Sequence, residues 1–384
     1  MHRVLVLGAG KIGRAIACFL QQSGDYDVRV ADSSQDALSH VAGMAPVDTV
    51  VADASDAGQL RRLMRDRDSV LSAMSFAFNP GIAQAAMATS TSYFDLTEDV
   101  TTTRAVRKLS GDCPTGCILM PQCGLAPGFI SIAAQHLASQ YQSLDHVHMR
   151  VGALPLFPNN ALKYNLTWST DGLINEYCNP CEAIHAGRLV EVLPLEGYEQ
   201  FSLDGVHYEA FNTSGGLGSL CESLNGKVRE LNYRTVRYHG HRDLMKFLLN
   251  DLRMSEKRNL LKEILEDAIP VTWQDVVITF VTVAGLRNGQ FVQMSDARKV
   301  YHQYIGGRHW GAIQLTTAAG ICAVLDLHVH GKLPATGFVR QEETNFQDFI
   351  DNRFGSHFSA DTQLRIDRIA EGHSDSYATG SLEP

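Results

Sequence analysis

No stretch of this 384-residue sequence comes near the roughly 18 consecutive apolar residues of a membrane-crossing helix. The longer apolar segments, such as 276–286, are short or interrupted, so no membrane span is expected. An excess of positive charge is lacking too. Lysine plus arginine total 33 against 42 for aspartate plus glutamate, a formal net charge of −9 that argues against nucleic acid as a partner. Cysteine is sparse, eight in all, and Met1-His2-Arg3 opens no basic-then-apolar leader. Reduced thiols and a cytoplasmic location are expected. Cys178-Asn179-Pro180-Cys181 makes one CxxC, and Cys113 with Cys117 one CxxxC. Neither is joined by a second CxxC or an HxxxH, so no metal site is expected. Internal repeats and low-complexity blocks are missing as well.

What is present is an ordinary globular composition, 45% apolar and 20% charged, with length for two or three domains. Short β-branched runs at 4–7, 28–31, 49–52, 69–73, 93–96 and 118–121 alternate with helical patterns at 12–22, 35–42, 57–65, 80–89 and after Thr101. That alternation predicts an α/β fold with a Rossmann-type, doubly wound parallel sheet. After Gln122 a helix at 130–140 leads into hairpin-like pairs at 183–195, 201–211, 229–238 and 276–293, the last turning at Arg287-Asn288-Gly289, with helices at 240–252 and 256–267. This half reads as an inserted α+β, largely antiparallel substrate domain. The helix-like stretch 312–328 is expected to return to the first domain. The division predicted is therefore 1–124 plus about 310–354 for the dinucleotide-binding domain, 125–309 for substrate and dimerisation, and a polar tail over 355–384. The apolar run 276–284 suits the buried face of a homodimer or larger homo-oligomer.

Gly8-Ala9-Gly10-Lys11-Ile12-Gly13 follows an apolar strand and opens a helix, the context that gives a GxGxxG its meaning. Gly8 permits the tight turn, Gly10 lets backbone approach a pyrophosphate, and Gly13 lets helix and strand pack closely. Asp32 ends the second strand, where a carboxylate accepts hydrogen bonds from ribose hydroxyls and repels a 2′-phosphate, so NAD is the expected cofactor. The alternative for Asp32 is a cap on the helix that follows. Asp53 and Ala54 end strand three beside the expected adenine, and Ala73 and Met74 end strand four beside the pyrophosphate crevice; ordinary loop packing is the competing reading of each.

The glycine turn, with Tyr93-Phe94-Asp95-Leu96-Thr97 and Cys123-Gly124-Leu125-Ala126-Pro127-Gly128-Phe129, resembles the saccharopine dehydrogenase superfamily. Lys163-Tyr164-Asn165-Leu166-Thr167-Trp168-Ser169, Glu209-Ala210-Phe211-Asn212-Thr213-Ser214-Gly215-Gly216 and Arg237-Tyr238-His239-Gly240-His241 are similar to its lysine 6-dehydrogenase branch. The likeness runs from Met1 to about residue 350. It implies NAD-dependent oxidation at the ε-carbon of L-lysine, giving an aldehyde that cyclises to piperideine-6-carboxylate, with release of ammonia. Relatives acting on secondary amines such as saccharopine or carboxynorspermidine are the alternative, and an idle NAD-binding protein a further one.

Such chemistry needs an anchor for a carboxylate, for which Arg237, Thr213, Ser214 and the amide of Gly215 are candidates. An exposed strand arginine is the competing reading of Arg237. A base must take a proton from the ammonium and activate water, and His241, Glu98 and Asp99 stand beside the matching strings. Glu98 and Asp99 could equally cap the next helix. Trp168 and Tyr164 are expected to wall the aliphatic part of the substrate, a core position being the other option for Trp168. Lys11, Ile12, Leu96, Cys123 and Gly124 should border the cofactor, with Cys123 a plain small residue rather than a nucleophile.

Overall fold

A computed structural model describes residues 1–359. Seven parallel strands run in the order Gly337–Phe338, Ile118–Met120, Ser92–Asp95, Ser69–Ser72, His2–Leu7, Tyr26–Asp32, Asp48–Val51. Val4, Leu5, Val6 and Leu7 are all buried, because helices cover both faces of a parallel sheet and leave no polar side to alternate toward. Strand order reverses between His2–Leu7 and Ser69–Ser72, which opens a crevice at the carboxyl ends of these two strands. The seventh strand is two residues long, too short to leave a pattern in the sequence.

The second sheet has the order Glu199–Leu203, Val206–Asn212, Val228–Tyr238, Ser143–Pro155, Asp275–Arg287, Gln290–Tyr301, with the hairpin Cys181–His185 and Arg188–Val192 attached beside Val228–Tyr238. Its neighbours are antiparallel except Val228–Tyr238 and Ser143–Pro155, which run parallel at the centre. Residues 229–238 therefore form part of one continuous strand, not the hairpin the sequence suggests. Strand Ser143–Pro155 and helix Thr170–Cys178 carry no clear pattern in the sequence and are additions to it.

Residues 312–329 form the helix Ala312–Val329, which packs against helix Lys11–Ser23 and strand Asp275–Arg287. By length and composition it is long and apolar enough to cross a membrane, yet 78% of it is buried inside the chain, the position of an all-round apolar core helix. The Asp275 carboxylate accepts from the N–H groups of Ala312 (2.5 Å) and Ile313 (3.1 Å), which ties the second sheet to the start of this helix. The apolar run 276–284 does not stand open for a partner. Val276, Val277, Ile278, Val281, Val283 and Ala284 are each no more than 3% exposed within one chain.

The expected tail begins later than residue 355. Gly355–Phe358 forms a tight turn whose Phe358 is wholly buried, its ring 4.1 Å from that of Phe129. A side chain at Gly355 would meet the Phe349 carbonyl oxygen at 1.8 Å, so this turn packs only around glycine. Arg353 fastens the segment by pairing with Asp25 (2.5 Å) and Asp326 (2.7 Å). The remainder of the predicted tail, 360–384, lies outside the described residues.

Candidate active site

The glycine turn is built as its chemistry requires. Gly8 has φ +98°, and its missing Cβ would lie 2.9 Å from the Ala73 carbonyl oxygen; a Cβ on Gly13 would lie 1.8 Å from that of Gly8. Gly10 is the N-cap of helix Lys11–Ser23 and provides no side-chain cap. A Cβ on Gly10 would meet nothing within 4 Å. The first turn thus presents free backbone N–H groups to open space, a cradle that fits the pyrophosphate of a dinucleotide.

Asp32 is not the cap of the next helix. That role falls to Ser34, whose hydroxyl accepts from Ala37 N–H. Asp32 accepts from Ala9 N–H (2.7 Å) and Ser34 N–H (2.8 Å), which fixes its carboxylate beside the turn. Asp53 is exposed and accepts from Ser55, and neither it nor Ala54 reaches the cavity described next.

A cavity of about 660 Å³ lies between the two sheets. On the first-domain side it is lined by Gly10, Lys11, Ile12, Ala73, Met74, Leu96 and Gly124, together with Ser75, Phe76 and Thr97. Cys123 is not among them. Its thiol is buried and bonds to the Met120 carbonyl (2.9 Å), with Gln341 donating to the sulfur, and burial holds it well above the usual thiol range. Lys11 lines the cavity, its ammonium 5.9 Å from the Trp273 ring, and burial lowers its pKa.

The second domain closes the cavity with Leu166, Thr167, Trp168, Glu176, Tyr233, Thr235 and Arg237. Arg237 is 2% exposed, far from the open strand arginine of the competing reading. Its Nε donates to the Tyr177 hydroxyl (2.9 Å) and its Nη1 to the Val236 carbonyl (2.9 Å). The guanidinium carbon sits 5.1 Å from the Tyr164 ring. Among the described residues no carboxylate lies within ion-pair distance of this guanidinium, and Nη2 bonds to none of them. Burial opposes its charge, while Tyr177, Tyr164 and Glu176 together hold its pKa above the ordinary value.

Two carboxyls share the cavity with it. Burial pushes Glu98 up to about 7, with Asp99 and Asp95 adding to the rise. Burial pushes Glu176 up to about 8 against the pull of Arg237. The chain makes room for Glu98 through Gly215, where a Cβ would come within 2.7 Å of the Glu98 carbonyl oxygen. Trp168 lies just before helix Thr170–Cys178 rather than within a helix, its ring against Gly172, where a Cβ would be 2.3 Å away.

Other expected residues sit elsewhere. Asp99 is the N-cap of helix Val100–Leu109, accepting from Thr102 N–H (2.6 Å), and does not reach the cavity. Thr213 is buried behind Thr235, with their hydroxyls 2.7 Å apart. Ser214 donates to the Asn175 carbonyl (3.1 Å). Tyr164 packs on Arg237 from behind the cavity wall. His241 is 1% exposed and outside the cavity, with Nδ1 2.8 Å from the Leu162 carbonyl and Nε2 3.0 Å from the Tyr177 hydroxyl. Burial, with Arg237 adding to it, drives its pKa down to about 3, so it is no base near neutral pH. Glu176 is the candidate residue the sequence reading passes over. Its signal was a lone acid on the buried face of Thr170–Cys178, beside Leu173, Ile174 and Tyr177.

A doubly wound sheet with a bare glycine turn at its crevice, faced across a cavity by a mixed sheet, defines a two-domain dinucleotide-binding fold. Residues 4–120 match the saccharopine dehydrogenase NADP binding domain and residues 124–353 the saccharopine dehydrogenase C-terminal domain. The chain belongs to the saccharopine dehydrogenase family. It is 25% identical over 202 residues to saccharopine dehydrogenase [NADP(+), L-glutamate-forming] of Saccharomyces cerevisiae, covering 49% of this chain and 43% of the relative. It is 21% identical over 308 residues to the mitochondrial alpha-aminoadipic semialdehyde synthase of Rattus norvegicus, covering 73% of this chain and 31% of that protein. The chain thus spans less than half the length of these curated relatives. The solved structure of apo saccharopine dehydrogenase (L-Glu forming) from Saccharomyces cerevisiae superposes with a TM-score of 0.77 at 15% identity, covering 96% of this chain and 98% of that one, and shares its fold.

Proposed function

We propose that this protein carries out the NAD-dependent oxidative deamination of the ε-amine of L-lysine, giving allysine that cyclises to piperideine-6-carboxylate, with ammonia released. The observation that carries the reading is the enclosed guanidinium of Arg237, with one nitrogen free, in the same cavity as two carboxyls of raised pKa. Arg237 takes the α-carboxylate as a charge-assisted pair. Glu98 and Glu176, poised near 7 and 8, accept a proton from the ε-ammonium and later from the water that hydrolyses the imine. Trp168 covers the methylene chain between these ends.

Gly8, Gly10 and Gly13 hold the dinucleotide at the helix start, and Asp32 receives the adenosine ribose. When bound, the nicotinamide supplies the hydride acceptor. Asp32, with no arginine in the following Ser33-Ser34-Gln35, supports NAD over NADP.

The names of the relatives favour a second reading, a dehydrogenase acting on a secondary amine such as saccharopine. A substrate with a glutamate-derived arm needs a second cationic anchor; among the described residues the cavity is lined by one buried cation, Arg237, and by Lys11 on the first-domain side, against Glu98, Glu176 and the exposed acids Asp171 and Glu266. That balance supports a substrate with one carboxylate and a spare ammonium. The test is to incubate the purified protein with NAD or NADP and a panel of amino acids and polyamines while following reduced nicotinamide. Turnover of lysine with NAD and without added keto acid supports the reading; turnover of saccharopine alone refutes it.

A further inference from the structure

Behind the cavity wall, three buried side chains form one continuous line of hydrogen bonds whose directions are fixed from its far end. His241 Nδ1 lies 2.8 Å from the Leu162 carbonyl oxygen, which can only accept, so the ring proton is on Nδ1. Nε2 is then a lone pair and takes the Tyr177 hydroxyl proton at 3.0 Å. With its proton committed to His241, the Tyr177 oxygen offers a lone pair to Arg237 Nε at 2.9 Å. A proton on both ring nitrogens would make Nε2 a donor to the Tyr177 oxygen and leave the hydroxyl hydrogen without its acceptor on His241. Nη1 is fixed separately on the Val236 carbonyl, and the Tyr164 ring lies 5.1 Å from the guanidinium carbon. Neither Tyr177 nor His241 lines the cavity.

We propose that Tyr177 and His241 are positioning residues that set the rotation of the Arg237 guanidinium, leaving Nη2 as the free donor for a substrate carboxylate. The inference rests on the function proposed above and deepens it by assigning the recognition of the carboxylate end to a relay rather than to Arg237 alone. The burial that keeps His241 unprotonated makes the relay insensitive to pH over the neutral range.

The test compares Tyr177→Phe, His241→Asn, His241→Gln and the Tyr177→Phe/His241→Asn double variant. Asparagine keeps a donor where Nδ1 stands and loses the acceptor where Nε2 stands, whereas glutamine places an acceptor there. Tyr177→Phe removes one oxygen only and guards against loss of folding. Three readouts are taken on the full chain with NAD: KM and kcat for lysine, the same for cadaverine, which has no carboxylate, and calorimetric affinity for norleucine, which has no ε-amine. Tyr177→Phe and His241→Asn are expected to raise lysine KM and weaken norleucine by about 10-fold or more, the scale of one hydrogen bond to a charged group, with kcat within about twofold. Cadaverine kinetics should not move, His241→Gln should stay near the parent, and the double variant should be no worse than either single one. Unchanged norleucine affinity in Tyr177→Phe, multiplied losses in the double variant, or an equal loss on cadaverine would overturn the relay. A parent protein that binds norleucine but does not oxidise lysine removes the proposed reaction alone, and the relay is then read from the norleucine titrations. A parent that binds no amino carboxylate removes both.

Discussion

Replacing Arg237 by methionine separates recognition from folding in a single variant. Arg237 is 2% exposed and carries no ion pair among the described residues, so its charge is sustained by aromatic rings, the Tyr177 oxygen and Glu176 at a distance. Removing it takes away the free Nη2 donor and the buried cation of the cavity, at about 2 to 4 kcal/mol in transition-state binding, or roughly 30- to 1000-fold in kcat/KM for lysine. Stability should respond quite differently. A buried charge without a salt bridge costs desolvation that an apolar side chain of similar volume does not, and the bonds given up are those to Tyr177 and Val236. The midpoint of thermal unfolding is therefore expected to stay within a few degrees of the parent or to rise. Steady-state kinetics with lysine and cadaverine, alongside differential scanning calorimetry, provide the check. A fall in lysine kcat/KM of less than about threefold, or an equal fall with cadaverine, would refute the carboxylate role.

Asp32→Ala should raise KM for NAD and relax the discrimination against NADP; unchanged cofactor kinetics would reduce Asp32 to a clamp on Ala9 and Ser34. Glu176 is pushed up to about 8 from its ordinary 4.5, so between these values the folded carboxyl keeps a proton that the unfolded one has lost. Stability of the unliganded protein is expected to fall as pH rises through that window, and Glu176→Gln should flatten the slope, as urea midpoints at about pH 5 and about pH 9 will report. The kcat/KM for lysine should rise with pH through about 7 to 8 as Glu98 and Glu176 lose their protons, and a flat profile would exclude both as bases. Phe358→Ala, which empties a fully buried ring site against Phe129, should cost about 3 to 5 kcal/mol by chemical denaturation; a loss under about 1 kcal/mol would mean the last turn is not part of the core.

The first domain was readable because its rules are local. Alternation of buried strands with helices, and three glycines whose missing side chains face backbone at 1.8 to 2.9 Å or open space, leave direct marks in the residue string. That residues 312–328 form one apolar helix was readable from their composition. The second domain was read less well, since the parallel pairing of Val228–Tyr238 with Ser143–Pro155 joins segments about 85 residues apart and no local pattern encodes it. The places of His241, Asp99 and Glu176 were hidden for the same reason. His241 and Asp99 have the chemistry of bases, but burial and an unfilled helix start, respectively, decide what they do. Glu176 looks like any acid in a short helix until the fold turns its face into the cavity. Gly355 and Phe358 sit in a polar stretch whose composition conceals one core ring.

The central claim is that the bare helix start at Gly10 cradles a nicotinamide dinucleotide at the mouth of the Arg237 cavity. Titrating NAD into the purified chain by calorimetry tests it most directly. A saturable heat at one NAD per chain, weaker for NADP and lost when Gly10 is replaced by a bulky residue, is the expected result; no heat from either dinucleotide would contradict the account.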